Sequence, residues 1–269
     1  MCLGDNGMEN MIKIWEIKEH TETTFEYKIN IYYLFNNIGQ MLTDLINTYK
    51  FFYSGLGISE DQYVEFKHTI ELNLILSKKY AFNILKNNAQ RYLSQNYLKD
   101  IIEIVIFQLV EVCQIIHLLQ QGGMGYNKTK VDNILKEYKV LLNEKHLPEL
   151  LNIVEEYLGQ LYFSNHLKSV NTVRRILVHK NGCVDKGQIE LLTRTPKLFT
   201  TKSYSDINYS RKEDDGECID FKKQWKLGDN IILEYDDCFR ISFTVISFFT
   251  EMVYKLIAKH PLLDIKRPT

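Results

Sequence analysis

The sequence predicts an all-α protein, a bundle of long helices with small extended or β-hairpin accessories. Two observations carry this expectation. Only four prolines and thirteen glycines occur in 269 residues, so long stretches run without a helix breaker. Apolar residues recur at helical spacing over most of those stretches, and at 45% of the chain they are ample for a well-buried core.

Residues 1–30 read as an accessory segment and residues 31–269 as the helical domain. Ile12 and Ile14, then Tyr27, Ile29 and Ile31, alternate with polar residues around a threonine-rich centre from His20 to Thr24, a pattern that permits a small hairpin. From Ile31 the period changes. Leu34, Ile38, Met41 and Leu45 follow helical spacing until Gly55-Leu56-Gly57 ends a first long helix. Ser59 with Asp61 and Gln62 opens a second, carried by Val64, Ile70, Leu74, Phe82 and Leu85 to about Tyr92. A third runs from near Tyr97 to Gln121.

The Gly122-Gly123-Met124-Gly125 run lacks a lysine-serine continuation and follows a helix, so it reads as a helix stop and turn rather than a phosphate loop. A shorter helix covers Lys130 to Leu142. His146 is a loop residue before Pro148, which suits the first turn of the helix that begins near Glu149. That pattern runs on through Val154, Leu158 and Leu161, with a bend near Ser164-Asn165, and stops at Gly182. Thr193 to Asp229 is polar and reads as a loop or flap. Leu227 to Leu233 is a turn into a short extended segment. Asp236 and Asp237 then open a final helix through Phe243, Phe249 and Leu256, where the dipole favours acidic residues.

A net charge of −1 gives no global attraction to nucleic acid or membrane, so a polyanion site has to come from local clustering. The five cysteines are odd in number and scattered, which fits a reducing cytoplasm. The start lacks the basic end and apolar run of a secretory signal. Ile101 to Leu119, the most apolar segment, is interrupted by Glu103, Gln108, Glu111 and His117 and reads as a core helix rather than a membrane span.

Local clustering does occur. From Tyr157 to Val184 there is no Asp or Glu, while Lys168, Arg174, Arg175 and Lys180 are cationic and His166 and His179 can add charge. A strip of this kind is often only a solvated face. Its placement is what singles it out. At roughly 100° per residue, Leu167, Val170, Val173 and Leu177 share one face and His179 lies nearly opposite. Arg175 falls within about 40° of His179, whereas Arg174 is roughly 140° from it, at the edge of the apolar arc. A guanidinium there needs a partner, either an internal carboxylate or a phosphate in a crevice against another helix or subunit.

Arg174, four intervening residues, His179, then Lys180-Asn181-Gly182 and a late Leu227-Gly228-Asp229 before a last helix resemble the HEPN superfamily, over about Glu149 to Lys259. Its hallmark is an arginine, a short spacer and a histidine in an all-α bundle. Many members are metal-independent ribonucleases of toxin, phage-defence and RNA-processing systems, usually homodimers whose motifs meet at one composite site. The resemblance implies an RNA endonuclease with Arg174 and His179 catalytic, Arg175, Lys180 and Asn181 contacting substrate, and no metal or cofactor. Its implied partners are RNA, a second copy and an antitoxin or larger defence complex.

Two departures from the family pattern stand out. Arg175 occupies the position after the motif arginine, where a small polar residue such as asparagine is common, so the family points to Arg174 while the helical wheel permits Arg175. Asn181 stands where toxins silenced by nucleotide transfer carry a tyrosine, so that regulation is not indicated. The expected chemistry uses the RNA 2′-hydroxyl as nucleophile, an imidazole as proton carrier and arginine at the phosphorus centre, leaving a 2′,3′-cyclic phosphate and a 5′-hydroxyl. A catalytically silent helical module that binds RNA, nucleotide or protein through the same strip is the competing expectation.

Other candidates carry less. Cys113 and His117 share a helix face without two further ligands and read as core packing. Glu213 to Glu217 is an acidic loop rather than a Mg²⁺ site. Tyr204 and Tyr209, near Lys202 and Arg211, are candidate base-stacking residues.

Overall fold

A computed structural model describes residues 15–19, 25–29, 31–55, 57, 82–121, 128–196 and 218–260. The protein is mainly helical among them. In chain order the elements are β1 (Trp15–Glu19), β2 (Phe25–Ile29), α1 (Ile31–Gly55), α2 (Phe82–Gln121), α3 (Lys128–Asn143), α4 (Leu147–Leu158), α5 (Ser164–His179), β3 (Ile189–Pro196), β4 (Cys218–Trp225) and α6 (Tyr235–Lys259). The strands form two separate antiparallel pairs. β1 pairs antiparallel with β2 from Trp15 opposite Ile29 to Glu19 opposite Phe25, while Ile12, Ile14 and the threonine-rich centre lie outside the described residues.

The chain divides into two compact units. The first comprises Met1–Leu42, Ile102–Lys168 and Val245–Thr269, and the second Thr43–Ile101 and Ser169–Thr244. In the first unit α2 supplies a fully buried row including Val105, Leu109, Val112 and Ile116, with Leu150 and Val154 of α4 and Phe248, Met252 and Leu256 of α6 equally buried. Polar contacts fix the helices beside one another. Lys139 of α3 lies 2.8 Å from Glu111 of α2, and the Gln114 amide donates to the Leu135 carbonyl at 3.2 Å. Glu251 of α6 accepts the backbone N–H groups of Tyr162 and Phe163, at 2.9 and 3.3 Å, just before α5.

In the second unit the core holds Tyr97, Leu98, Ile101, Val170, Val173, Leu177, Ile231, Leu233 and Ile241. The Tyr97 hydroxyl donates to the Cys238 carbonyl at 2.6 Å and pairs with Ser242. β3 pairs with β4 from Ile189 opposite Trp225 to Pro196 opposite Cys218. Leu191, Thr193 and Thr195 face inward, the period-two pattern of a half-buried sheet. The Leu192 N–H reaches Ser169 Oγ of α5 at 3.0 Å, and the Arg194 N–H reaches Thr244 Oγ1 of α6 at 2.9 Å, so β3 is tied to both helices.

Several boundaries differ from the sequence reading. The predicted second and third helices are joined: α2 is continuous through Ser94-Gln95-Asn96, where a break near Tyr92 was expected. Polar residues there find partners without leaving the helix. Asn96 donates to the Tyr92 carbonyl at 2.9 Å, and Ser94 Oγ lies 2.9 Å from the Gln90 carbonyl and 3.0 Å from that of Leu233. The expected bend near Ser164 is a full break after Leu158, at Gly159 with φ of 81°. His146 is the N-cap residue of α4, and its N–H is received by the Glu149 carboxylate at 2.8 Å.

The flap expected over 193–229 takes in the end of β3, Thr193 to Pro196, and the whole of β4, because cross-strand pairing, with the ion pairs Glu190–Lys222 and Arg194–Asp220, organises charged residues that carry no local signal. The extended segment after Leu227 is reduced to one bridge, Asn230 with Cys183. Residues 58–81, 122–127 and 197–217, with the start of the second helix, the glycine run, Tyr204, Tyr209 and the acidic loop, lie outside the described residues.

α2 and α6 are long and apolar enough to cross a membrane, by length and composition. Of their most apolar windows, 72% and 50% are buried inside the protein. Cys113 is buried, its thiol pushed up to about 12 by desolvation, and His117 stacks on Tyr138 with ring centroids 4.3 Å apart. Among the described residues no three His, Cys, Asp or Glu side chains cluster as metal ligands.

Candidate functional site

α5 is unbroken from Ser164 to His179, so the angular relations of its side chains are those of a regular helix. Val170, Val173 and Leu177 are fully buried on one face of its second-unit part. His179 and Arg175 are exposed and Arg174 is half-buried. Arg174 Nε is shielded from solvent and has no hydrogen-bond acceptor. A buried guanidinium N–H without an acceptor is costly, on the order of 1–3 kcal/mol, and such groups call for an explanation. Among the described residues neither Arg174 nor Arg175 is ion-paired with a carboxylate. Along the axis Arg174 and His179 are about 7.5 Å apart and on different faces, so α5 alone does not bring them together.

The other cations of the strip are placed differently. Lys180 lies 2.9 Å from Asp185, and Lys168 lies 3.8 Å from Glu155. The hydrogen bond from Lys180 holds the Asp185 carboxyl below its ordinary range. His166 is no part of a surface strip. It is buried, with its ring 5.3 Å from those of both Tyr162 and Phe163, the two residues just before α5.

After His179 the chain turns back sharply. Asn181 has φ of 52° and Gly182 φ of 81°, two successive left-handed residues. Asparagine tolerates that region better than other residues with a Cβ, and glycine enters it without cost. The N–H groups of Lys180 and Gly182 both reach the Ile176 carbonyl, at 2.9 and 3.1 Å, which closes the end of the helix. The turn is sewn to the segment before α6. Ile231 N–H donates to the Gly182 carbonyl at 2.8 Å, Val184 N–H to that of Asp229 at 3.0 Å, and Gly228 N–H to that of Val184 at 2.9 Å. Leu227-Gly228-Asp229 is itself a tight turn in which the Asp229 carboxylate accepts the Lys226 N–H at 2.7 Å. Motif and late turn are thus one hydrogen-bonded assembly.

No family model matches the chain, and comparison with curated proteins and with solved structures likewise gives no match. The site therefore rests on its own geometry: an exposed imidazole at a helix end, an exposed guanidinium within about 40° of it, and a second guanidinium with a buried N–H lacking an acceptor. An imidazole so placed can carry a proton to or from a ligand, and the guanidinium groups can donate hydrogen bonds to phosphate oxygens.

Two residues at this end of the helix were not singled out from the sequence. Asp185 follows the glycine stop by three positions and had no distinguishing pattern. Arg91 of α2 donates from Nη1 to the Asn181 carbonyl at 3.3 Å, across 90 positions of chain that no local signal spans.

Proposed function

We propose that the chain is a metal-independent RNA endonuclease of HEPN type, acting in the cytoplasm in a toxin or phage-defence role. The observation that carries this reading is the buried Arg174 Nε without an acceptor, on the helix that ends at the exposed His179. A phosphate is the natural partner for a half-buried guanidinium that no carboxylate pairs among the described residues. His179 is the general acid/base, Arg174 the phosphate stabiliser and Arg175 a substrate contact, with Asn181 and Lys180 next to the scissile group.

In the reaction one imidazole removes the proton of a ribose 2′-hydroxyl, and that oxygen attacks the adjacent phosphorus. A guanidinium donates to a non-bridging oxygen as charge builds there. The 5′-oxygen leaves with a proton from a second, protonated imidazole. The products are a 2′,3′-cyclic phosphate and a 5′-hydroxyl. Since the nucleophile belongs to the RNA, the chain's part is to orient, stabilise charge and move protons. Because α5 holds Arg174 and His179 on different faces, the site is completed by the same helix of a second copy.

The test is cleavage of end-labelled RNA by purified protein, with and without chelator, together with light scattering. Cleavage that resists chelator, disappears in His179→Ala and belongs to a dimer supports the reading. Activity that survives His179→Ala overturns the site assignment, and a strictly monomeric active enzyme overturns the composite site. RNA binding without cleavage favours a silent helical binding module, for which the exposed Arg175 is the observation in hand.

A further inference from the structure

We propose that Arg91 of α2 is a positioning residue of this site, clamping the Lys180–Gly182 turn and so fixing how His179 and Asn181 are presented. Its effect on cleavage rests on the nuclease reading above, whereas its effect on the turn does not.

Three contacts define the clamp. Arg91 Nη1 donates to the Asn181 carbonyl at 3.3 Å, and Nη2 donates to Asn88 Oδ1 at 3.4 Å, one turn earlier on α2. The planar guanidinium is therefore held between its own helix and the turn, and both bonds come from one rigid fork. The aliphatic stem lies against Gly182. A Cβ built at that glycine would sit 3.4 Å from Arg91 Cδ and 3.4 Å from Leu177 Cδ2.

The Asn181 carbonyl is left open to such a donor. It lies beyond the last helical residue, in a left-handed conformation, and takes no bond from the backbone donors of the turn, which go to Ile176, Lys180, Gly182 and Asp229 instead. A charged donor to a carbonyl is stronger than a neutral one, so Arg91 selects this conformation over those in which the carbonyl faces solvent. His179 is two residues before Asn181, and movement of the turn frays the last turn of α5, where the imidazole is attached.

The experiment compares the full chain with Arg91→Ala and Arg91→Lys. Alanine keeps α2 helical. Lysine keeps the charge and its donors but lacks the rigid planar fork that spans the two acceptors. Hydrogen exchange of peptides covering 176–184 reads the turn directly. In Arg91→Ala it should accelerate by roughly tenfold, with α4 peptides unchanged, and Arg91→Lys should be intermediate. Single-turnover cleavage should fall at least about tenfold in kcat with KM within about twofold, and lysine should restore part of it. Unchanged exchange at 176–184, uniform acceleration throughout the protein, or unchanged kcat despite accelerated exchange would each overturn the proposal. If the unaltered protein cleaves no RNA, the nuclease reading fails on that arm alone, and the exchange arm still decides the clamp.

Discussion

The Lys180 ammonium lies 2.9 Å from the Asp185 carboxylate, across the turn that ends α5. Both side chains are largely exposed, so the pair adds little to folding stability. Its weight is electrostatic, since it offsets one cation beside the candidate site. Asp185→Asn should therefore leave the melting temperature unchanged while tightening RNA binding. The plot of log affinity against log salt should steepen by about 0.7, the counterion release of one more phosphate contact on a single strand. Fluorescence anisotropy over a salt series measures this. An unaltered slope would mean that Lys180 does not reach a phosphate.

Arg174 and Arg175 separate by burial. Arg175→Ala and His179→Ala alter exposed positions and should change stability by no more than about 0.5 kcal/mol. His179→Ala should abolish cleavage, Arg175→Ala should weaken binding evenly across RNA sequences, and Arg174→Ala should lower kcat about a hundredfold or more. Denaturant melts alongside kinetics distinguish a lost catalytic group from a lost fold. Loss of cleavage in Arg175→Ala with full activity in Arg174→Ala would reverse the assignment.

The two left-handed residues make opposite forecasts. Gly182→Ala puts a side chain at φ of 81° and against the Arg91 stem, and should destabilise the protein by about 1–2 kcal/mol. Asn181→Gly suits φ of 52° and should keep the fold. If Asn181→Gly also keeps full activity, the asparagine side chain has no part in phosphate orientation. Thermal melts of the two variants, set against single-turnover rates, make the comparison.

Burial against α3 lowers the pKa of His117, which stacks on Tyr138. The folded state thus prefers the neutral ring. Stability is complete above the ordinary imidazole range and declines as pH falls through it toward the depressed folded value, because the unfolded chain takes up the proton first. His117→Phe keeps an aromatic ring for the stack and removes the titration, so its melting temperature should fall less between about pH 8 and about pH 5. Identical pH profiles for the two proteins would show that His117 is not a source of the acid sensitivity.

Local patterns of the chain account for much of this protein. The apolar period from Ile31 predicts α1 up to Gly55, and the spacing around Val173 and Leu177 places His179 and Arg175 outward and Arg174 at the edge of the core, as observed. These properties are legible because helical periodicity and a glycine stop are encoded within a few turns of chain. Only the tertiary structure decided the rest. Ser94 and Asn96 look like a helix break until the Leu233 and Tyr92 carbonyls accept their hydrogen bonds, and the charged residues of β3 and β4 look like a loop until they face one another. Lys180 looks like a free cation until Asp185 folds back on it, and Arg91 belongs to the site only because α2 brings it to a turn 90 residues away. In each case the deciding partner is distant or unpatterned, and its contribution exists only once packing has placed it.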